Sequence, residues 1–507
     1  MAATPVPSDD RGAPLRASAP LLLGGLLFGL GAWLTRPAED AVILYEYARN
    51  LAETGVITYG GATTPIEGAT DFLWMVIIAA LSAVGVDEFL ASLLLSGVAA
   101  GGLFRAFAGQ RRALLGLLSV ALLPFSWSAL AGFSPLMFSL VFVALLQAFF
   151  ARRHGAFYAL ALALCLIRPD GVVYALGPAS ALFFGSLRGG RWREVGQALG
   201  ILVLPGLLYF VGRAAYFGEL LPLPFLVKGS GGRDLLFFYT SSLVPVFSVA
   251  LPLAVAALAT RSRDTLMEMG TLLAAPVLFF CAMRLEQNLG NRFLAPLGFG
   301  GLFLLARSHP RAAWSAFAAV ALLTAKDTVT ALAYHIDSHK ENVFDLAQAL
   351  AEVDGRMSVT EAGRLAYYSG WEVHDTWGLN TPDYARNFVS LPQLEAGEYD
   401  LMNAHCKLQM LIEPPPLSTE RSWDHQCAAL TRFMGEADYE IWLVPFATAV
   451  TWRHRLKGWD PQCRRHDLYA VRRTYSQRDR VVEILQDHGA IPWSPELTIQ
   501  ADRVCLD

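Results

Sequence analysis

Two adjacent acids, Glu39 and Asp40, stand just after an apolar run of transmembrane character, 19–34. They open the stretch EDAVILYEYARNLAETGVITYGGATTPIEGATDFLW, residues 39–74. A carboxylate held where a chain leaves a bilayer can take the proton from a reacting hydroxyl. The same pair suits the first turn of a helix, where the dipole favours acids, and the two roles are compatible. Glu67 and Asp71 follow in the same loop, where they can cap a helix at Phe72 or touch a substrate. Arg168 and Asp170 flank Pro169, Lys228 follows the run LPLPFLV, and Arg292 opens another apolar segment. Cations of this kind steady negative charge growing on a phosphate leaving group. Each also has a plain role: a salt bridge for Arg168 and Asp170, solvation for Lys228, snorkelling for Arg292.

The elements that position these groups are apolar. The chain has 507 residues, of which 54% are hydrophobic and 17% charged, with a formal net charge of −4. Soluble domains carry about 25% charge, so this composition indicates a polytopic membrane protein. Nearly all apolar runs lie before residue 334, which divides the chain into a membrane domain, 1–334, and a soluble domain, 335–507. The first external loop of the membrane domain covers 35–87. The N-terminus reads as an uncleaved first span, since no clean small-residue cleavage site precedes the Glu39 loop.

Arginine clusters mark one side of the membrane, the cytoplasmic side. They are Arg11/Arg16, Arg105/Arg111/Arg112, Arg152/Arg153, Arg188/Arg191/Arg193, Arg261/Arg263 and Arg307/Arg311. Keeping them together predicts about eleven spans, roughly 19–34, 88–107, 113–131, 135–151, 155–168, 171–187, 196–213, 241–259, 266–283, 293–306 and 312–333. The segment 72–84 is then a helix on the outer face, too short for a core of about 30 Å. Glu39, Asp40, Glu67, Asp71, Arg168, Asp170, Glu219, Lys228, Arg284, Glu286 and Arg292 gather on that outer face, with the soluble domain. Of six cysteines, Cys165 and Cys281 fall in apolar runs; Cys406, Cys427, Cys463 and Cys505 suit two disulfides in an exported domain.

Transfer of a sugar from a polyprenyl phosphate to an external hydroxyl would use this set: one carboxylate as base, cations on the lipid phosphate, and helices around the lipid tail. The motifs around these residues resemble glycosyltransferases of the GT-C fold, in the branch that includes bacterial arabinofuranosyltransferases. The resemblance rests on Glu39-Asp40-Ala41, Tyr45 to Glu53, Ile66 to Trp74, Arg168-Pro169-Asp170-Gly171, Tyr216 to Pro222 with Lys228, and Asn291-Arg292-Phe293. It continues through Glu361 to Gly370 and Asp375 to Asn380, and so touches most of the chain to about residue 385. The chain departs from the pattern at Glu39, where Asp is common, and at Gly132-Phe133-Ser134-Pro135, which lacks a carboxylate the family often has.

The resemblance implies a mostly α membrane bundle with an extracytoplasmic α/β domain, set in a bacterial inner membrane. It implies Asp40 as general base with Glu39 as its acidic partner. It lends Glu67, Asp71, Arg168, Asp170, Lys228 and Arg292 substrate contacts. Tyr368, Asp375 and Asn380 are the soluble-domain candidates, against a plain core role for that motif. The expected partners are a polyprenyl-phosphate sugar donor, an envelope glycan, lipid or protein acceptor, and the bilayer, with no nucleic acid. Arabinofuranose is the sugar the resemblance suggests, with inversion. No metal ligands are assigned and a divalent metal is left open; His335, Asp337 and His339 read as a linker. A flippase or transporter of lipid-linked sugars and a non-catalytic envelope scaffold are the rivals. The first would show paired broken-helix halves, and no internal repeat is present.

Overall fold

The computed structural model describes residues 13–108, 112–228, 239–283, 285, 288–447, 463–497, 499–500 and 503–505. A helical bundle comes first. Its helices are α1 (Ala13–Leu30), α2 (Glu39–Thr54), α3 (Phe72–Ser82), α4 (Glu88–Ala108), α5 (Ala113–Leu122), α6 (Pro124–Leu130), α7 (Pro135–Phe150), α8 (His154–Ile167) and α9 (Gly171–Arg188). They continue as α10 (Trp192–Phe217), α11 (Leu223–Lys228), α12 (Tyr239–Ala259), α13 (Arg263–Ala282), α14 (Leu289–Ser308), α15 (Pro310–Leu323) and α16 (Ala325–Ser338).

Each of the eleven expected spans is helical, yet they differ in length. Among the described residues α4, α10, α12, α13 and α14 are long and apolar enough to cross a bilayer. The pairs α5–α6 and α15–α16 also qualify, bent by 61° and 58°. Proline opens α6, and a proline that lacks an N–H cannot continue a preceding helix smoothly; the second break falls at Thr324, between Leu323 and Ala325. Helix α3 has 11 residues, about 16 Å of rise, well short of the bilayer core. Leu207, Leu208 and Val211 of α10 and Leu251 and Leu258 of α12 are exposed, the pattern of helices that face lipid. The bundle interior packs Phe107, Phe125, Phe138, Phe142 and Tyr174.

A mixed sheet follows. Its strands are β1 (Arg356–Val359), β2 (Glu372–Asp375), β3 (Leu401–Ala404), β4 (Tyr439–Pro445), β5 (Cys463–Arg472) and β6 (Ile491–Pro492), in the order β2-β1-β3-β5-β4-β6. The first three are mutually parallel and the others antiparallel. Helices α17 (Val343–Leu350), α18 (Arg364–Ser369), α19 (Trp423–Glu436) and α20 (Arg478–Asp487) cover the sheet or lead into it. The strand and turn expected at MSVT and at Gly378 are present: β1 holds Met357 to Val359, and Gly378 has φ 92°.

One disulfide, Cys406–Cys427, ties the segment after β3 to α19. Cys463 and Cys505 are register partners in the backbone ladder, and their side chains lie outside the described residues, so the second expected disulfide stays there too. Cys165 and Cys281 are free and half-buried in the bundle. The HIDSH segment is not a linker as expected: residues 335–338 are the last turn of α16, and His339 caps it. His335 Nε2 meets the Trp127 carbonyl at 2.7 Å, and His339 Nε2 meets the Leu34 carbonyl at 3.0 Å.

The α3–α4 turn tests which side this part of the chain occupies. With Cys165 and Cys281 replaced by serine, Val84→Cys will react in intact cells with a membrane-impermeant maleimide. Reaction only after permeabilisation would contradict an outer-face placement.

Candidate active site

Helix α2 begins at Glu39, and both acids lie in its first turn, where the dipole favours them. The Ala38 amide donates to the Ala131 carbonyl at 2.9 Å, which pins the start of α2 to the turn before α7. Gly55 closes the helix in the left-handed conformation, φ 74°. Tyr45 and Tyr47 are fully buried on its inner side. The Tyr45 hydroxyl donates to the Gly132 carbonyl at 3.1 Å; the Tyr47 hydroxyl donates to Asn380 Oδ1 at 3.1 Å. One helix is thereby fastened to the bundle on one side and to the sheet domain on the other.

The two acids turn different ways. Glu39 faces the sheet domain: its Oε1 accepts from the Gly363 amide at 2.6 Å and the Arg364 amide at 3.0 Å. Burial raises the Glu39 carboxyl above its ordinary range, against the pull of Arg364 and these two amides. Gly363 must be glycine, since a Cβ there would stand 2.1 Å from the Glu39 carbonyl oxygen. Asp40 faces the bundle. Its Oδ2 accepts from Arg292 Nη2 at 3.1 Å, and its side chain is 39% exposed against 23% for Glu39. Asp40 is thus the acid open to a reactant.

Arg292 is aimed by an unusual turn. Gly290 and Asn291 both have positive φ, 59° and 55°. A Cβ on Gly290 would meet the Pro124 carbonyl oxygen at 2.5 Å, and asparagine tolerates this region better than most residues. Asn291 Nδ2 donates to Asp327 at 2.7 Å and holds the turn. The Arg292 guanidinium then lies 3.6 Å from the Phe133 ring centroid and 5.2 Å from that of Phe293. Arg168 approaches the Phe293 ring too, at 4.9 Å. Two guanidinium groups thus share one aromatic ring at the α2 end of the bundle, a contact that offsets part of their desolvation.

Arg168 makes the expected bridge to Asp170, 2.9 Å, and a second to Asp71, 3.2 Å. Asp71 precedes α3 without a side-chain bond to the helix, which corrects the expectation that it caps that helix. Its Oδ2 instead accepts from Ser134 Oγ at 2.9 Å. The two side chains at the departure from the family pattern, Phe133 and Ser134, therefore pack on Arg292 and bond Asp71.

Other candidates are held within the fold. Glu67 does not cap α3; it is buried with Arg213, Oε2 to Nη2 2.5 Å. Arg213 stands at the outer end of an apolar stretch, and an ionisable residue there was the available signal. Asp375 is 1% exposed, and its carboxylate accepts from the amides of Trp377, Gly378 and Asn380 and from Asn380 Nδ2. Burial pushes that carboxyl up to about 6 against these four donors. It builds its own turn and has no free oxygen for a substrate. Tyr368 packs edge-on against Phe344 and Tyr367, within electrostatic reach of Glu39 and Arg364. Lys228 ends α11 and is exposed; Arg284 and Glu286 lie outside the described residues.

Sequence reasoning missed Arg364. It is 3% exposed, bonds Glu341, and donates to the Pro37 carbonyl at 2.9 Å and the Tyr334 hydroxyl at 2.8 Å. It also overlooked the groups on the sheet edge beside Glu39. Glu361 lies within electrostatic reach of Glu39, Asp40, His405 and Asp467. His405 Nδ1 is 2.6 Å from Asp467 Oδ1. Among the described residues no three His, Cys, Asp or Glu side chains converge as a metal site.

The fold has solved counterparts. ArnT from Cupriavidus metallidurans bound to undecaprenyl phosphate superposes with TM-score 0.52 at 15% identity, over 82% of this chain and 97% of that one. Its apo form gives TM-score 0.51 with the same identity and coverage. At that identity the likeness shows the fold, a GT-C-type membrane bundle with a C-terminal sheet domain. A family model described as a domain of unknown function (DUF8728) matches residues 333–456. No curated protein sequence matches the chain.

Close approach of Gly363 to Glu39 carries a prediction. Gly363→Ala will destabilise the detergent-solubilised protein by about 1–3 kcal/mol, the range for overpacking a filled site. Gly435→Ala, where a Cβ meets nothing within 4 Å, will be neutral or stabilising. Thermal unfolding of the two variants checks this.

Proposed function

We propose that the chain is a membrane glycosyltransferase. It moves a sugar from a polyprenyl phosphate to a hydroxyl of an envelope glycan, lipid or protein, on the outer side of a bacterial inner membrane. The observation that carries this reading is the pairing of an accessible Asp40 with Arg292, beside Arg168, in a fold whose solved counterpart ArnT was crystallised with undecaprenyl phosphate. Arabinofuranose is the donor sugar we favour, on the motif resemblance alone. The reading keeps eleven spans, with 335–507 as an extracytoplasmic domain.

The chemistry divides along the charges. Arg292 and Arg168 take the lipid phosphate, and exposed Lys228 adds a third cation from the loop that Arg213 anchors. The acceptor oxygen forms a bond to the anomeric carbon as its proton passes to Asp40. The anomeric C–O bond breaks with its electron pair moving to the phosphate oxygen, where the guanidinium groups stabilise it. Attack from the face opposite the phosphate inverts the anomeric centre. Glu39, held by two amides, fixes the first turn of α2 and so the direction of Asp40. Positioning plus one general base accounts for most of the rate such a site needs, the base alone contributing about 100- to 10,000-fold.

The test is glycan analysis of the envelope in a strain lacking the chain. Deletion will remove a sugar, wild type will restore it, and Asp40→Asn at matched protein level will leave incorporation at least about 100-fold lower. Full restoration by Asp40→Asn would make Asp40 a helix-terminal acid and favour a transporter or scaffold.

A further inference from the structure

The carboxyl ends of the parallel strands β1 and β3 lie beside the first external loop. Two contacts set this. The Tyr59 hydroxyl donates to the Ala362 carbonyl at 2.5 Å, and the Gly363 amide holds Glu39. Ligands of open parallel sheets gather at such ends, because connecting loops there present side chains and free amides. Three groups meet at this edge. Glu361 follows β1, His405 follows β3, and Asp467 sits on β5 next to Leu468, the register partner of Ala404. The edge is braced: the His405 amide donates to Thr360 Oγ1 at 2.8 Å, and the next residue, Cys406, is in the disulfide to Cys427.

These groups are arranged but not consumed. His405 is bonded to Asp467 through Nδ1, and its Nε2 has no hydrogen-bond partner among the described residues. The Glu361 carboxyl likewise has none among them, although it is half-buried and near four other titrating groups. Among the described residues Asp40 Oδ1 takes no hydrogen bond, since Arg292 takes Oδ2. The site is therefore polarised about Asp40. Arg168 and Arg292 lie on one side and suit an anion. Glu39 and Asp467 lie on the other, with Glu361 beside them, and disfavour one.

We infer that Glu361 and the His405–Asp467 pair form the acceptor side of the site, holding an uncharged polyhydroxyl group with one hydroxyl directed at Asp40. This rests on the function proposed above and adds to it the class of acceptor and the residues that read it. Carboxyl and imidazole groups hydrogen-bond adjacent hydroxyls as both donors and acceptors. A phosphorylated or carboxylated acceptor would meet the carboxylates of Glu39 and Asp467 on this side and be disfavoured, although Arg465 lies within electrostatic reach of His405. Glu361 serves best as a neutral acid, able to donate and accept. Burial, then Glu39, pushes its carboxyl up to about 8, with Asp40 and Asp467 adding to the rise and His405 opposing it. Arg364, on α18, faces Glu39 rather than Glu361. Burial lowers the His405 imidazole and Arg465 adds to that, while the bonded Asp467, helped by Glu361, more than restores it, for a net rise.

The experiment measures sugar incorporation in membranes of the complemented deletion strain across pH, and undecaprenyl phosphate binding by the purified proteins. Glu361→Ala will lower incorporation at least tenfold at pH 7 while lipid affinity stays within twofold of wild type. Glu361→Gln will retain most activity at pH 7, because a carboxamide both donates and accepts. Wild-type incorporation will fall as pH rises through about 8, where Glu361 ionises. The Gln variant will lose that fall. Full activity in Glu361→Ala, a matching loss of lipid affinity, or a Gln variant as impaired as Ala would each overturn the inference. A deletion that removes no sugar, with wild type that binds no undecaprenyl phosphate, would instead remove the underlying function and the inference with it.

Discussion

A buried guanidinium joins the two halves of this protein. Arg364 reaches from α18 of the sheet domain to Glu341, the Pro37 carbonyl, the Tyr334 hydroxyl and the side of Glu39. One residue thereby touches the loop after the first apolar helix, the last bundle helix and the linker that leaves it. Removing one partner of such a pair leaves a buried charge uncompensated, at about 3–5 kcal/mol. The start of α2 has little freedom under that constraint. Glu39 is committed to holding position, and Asp40, one residue on, is left facing Arg292.

The same logic explains the charges at the α2 end of the bundle. A lone charge near the bilayer core costs a few kcal/mol, so intramembrane ionisable groups pair or line a wet cavity. Here they pair in a chain, Asp40 to Arg292 and Asp170 to Arg168 to Asp71, with Phe293 between the two cations. Glu67 and Arg213 form a more deeply buried pair, closed off by the Leu220 carbonyl. The deeper pair fastens the external loops. The outer chain keeps an exposed carboxylate and is the one suited to a reactant.

Much of this was legible in the sequence. Apolar runs separated by arginine clusters marked the helices, because a bilayer allows few alternatives. The Glu39–Asp40 pair and Arg168–Pro169–Asp170 stood out because charges are scarce there. What escaped was pairing across long separations. Glu67 with Arg213 and Glu39 with Gly363 are contacts over 146 and 324 residues, and nothing local announces them. Asp375 was open to two readings, because an acid next to a glycine turn can look like a ligand-binding group while bonding its own turn. Glu361 was visible only as a motif letter, and its setting comes from Asp467, which a strand far along the chain supplies.

Titration of the purified, reconstituted protein with undecaprenyl phosphate, followed by tryptophan fluorescence, tests most directly whether these cations hold a lipid phosphate. Arg292→Gln should weaken binding about 10- to 100-fold, the size of a charge-assisted hydrogen bond, and Lys228→Gln by less. Equal affinity in wild type and Arg292→Gln would contradict the assignment of Arg292 to the lipid phosphate.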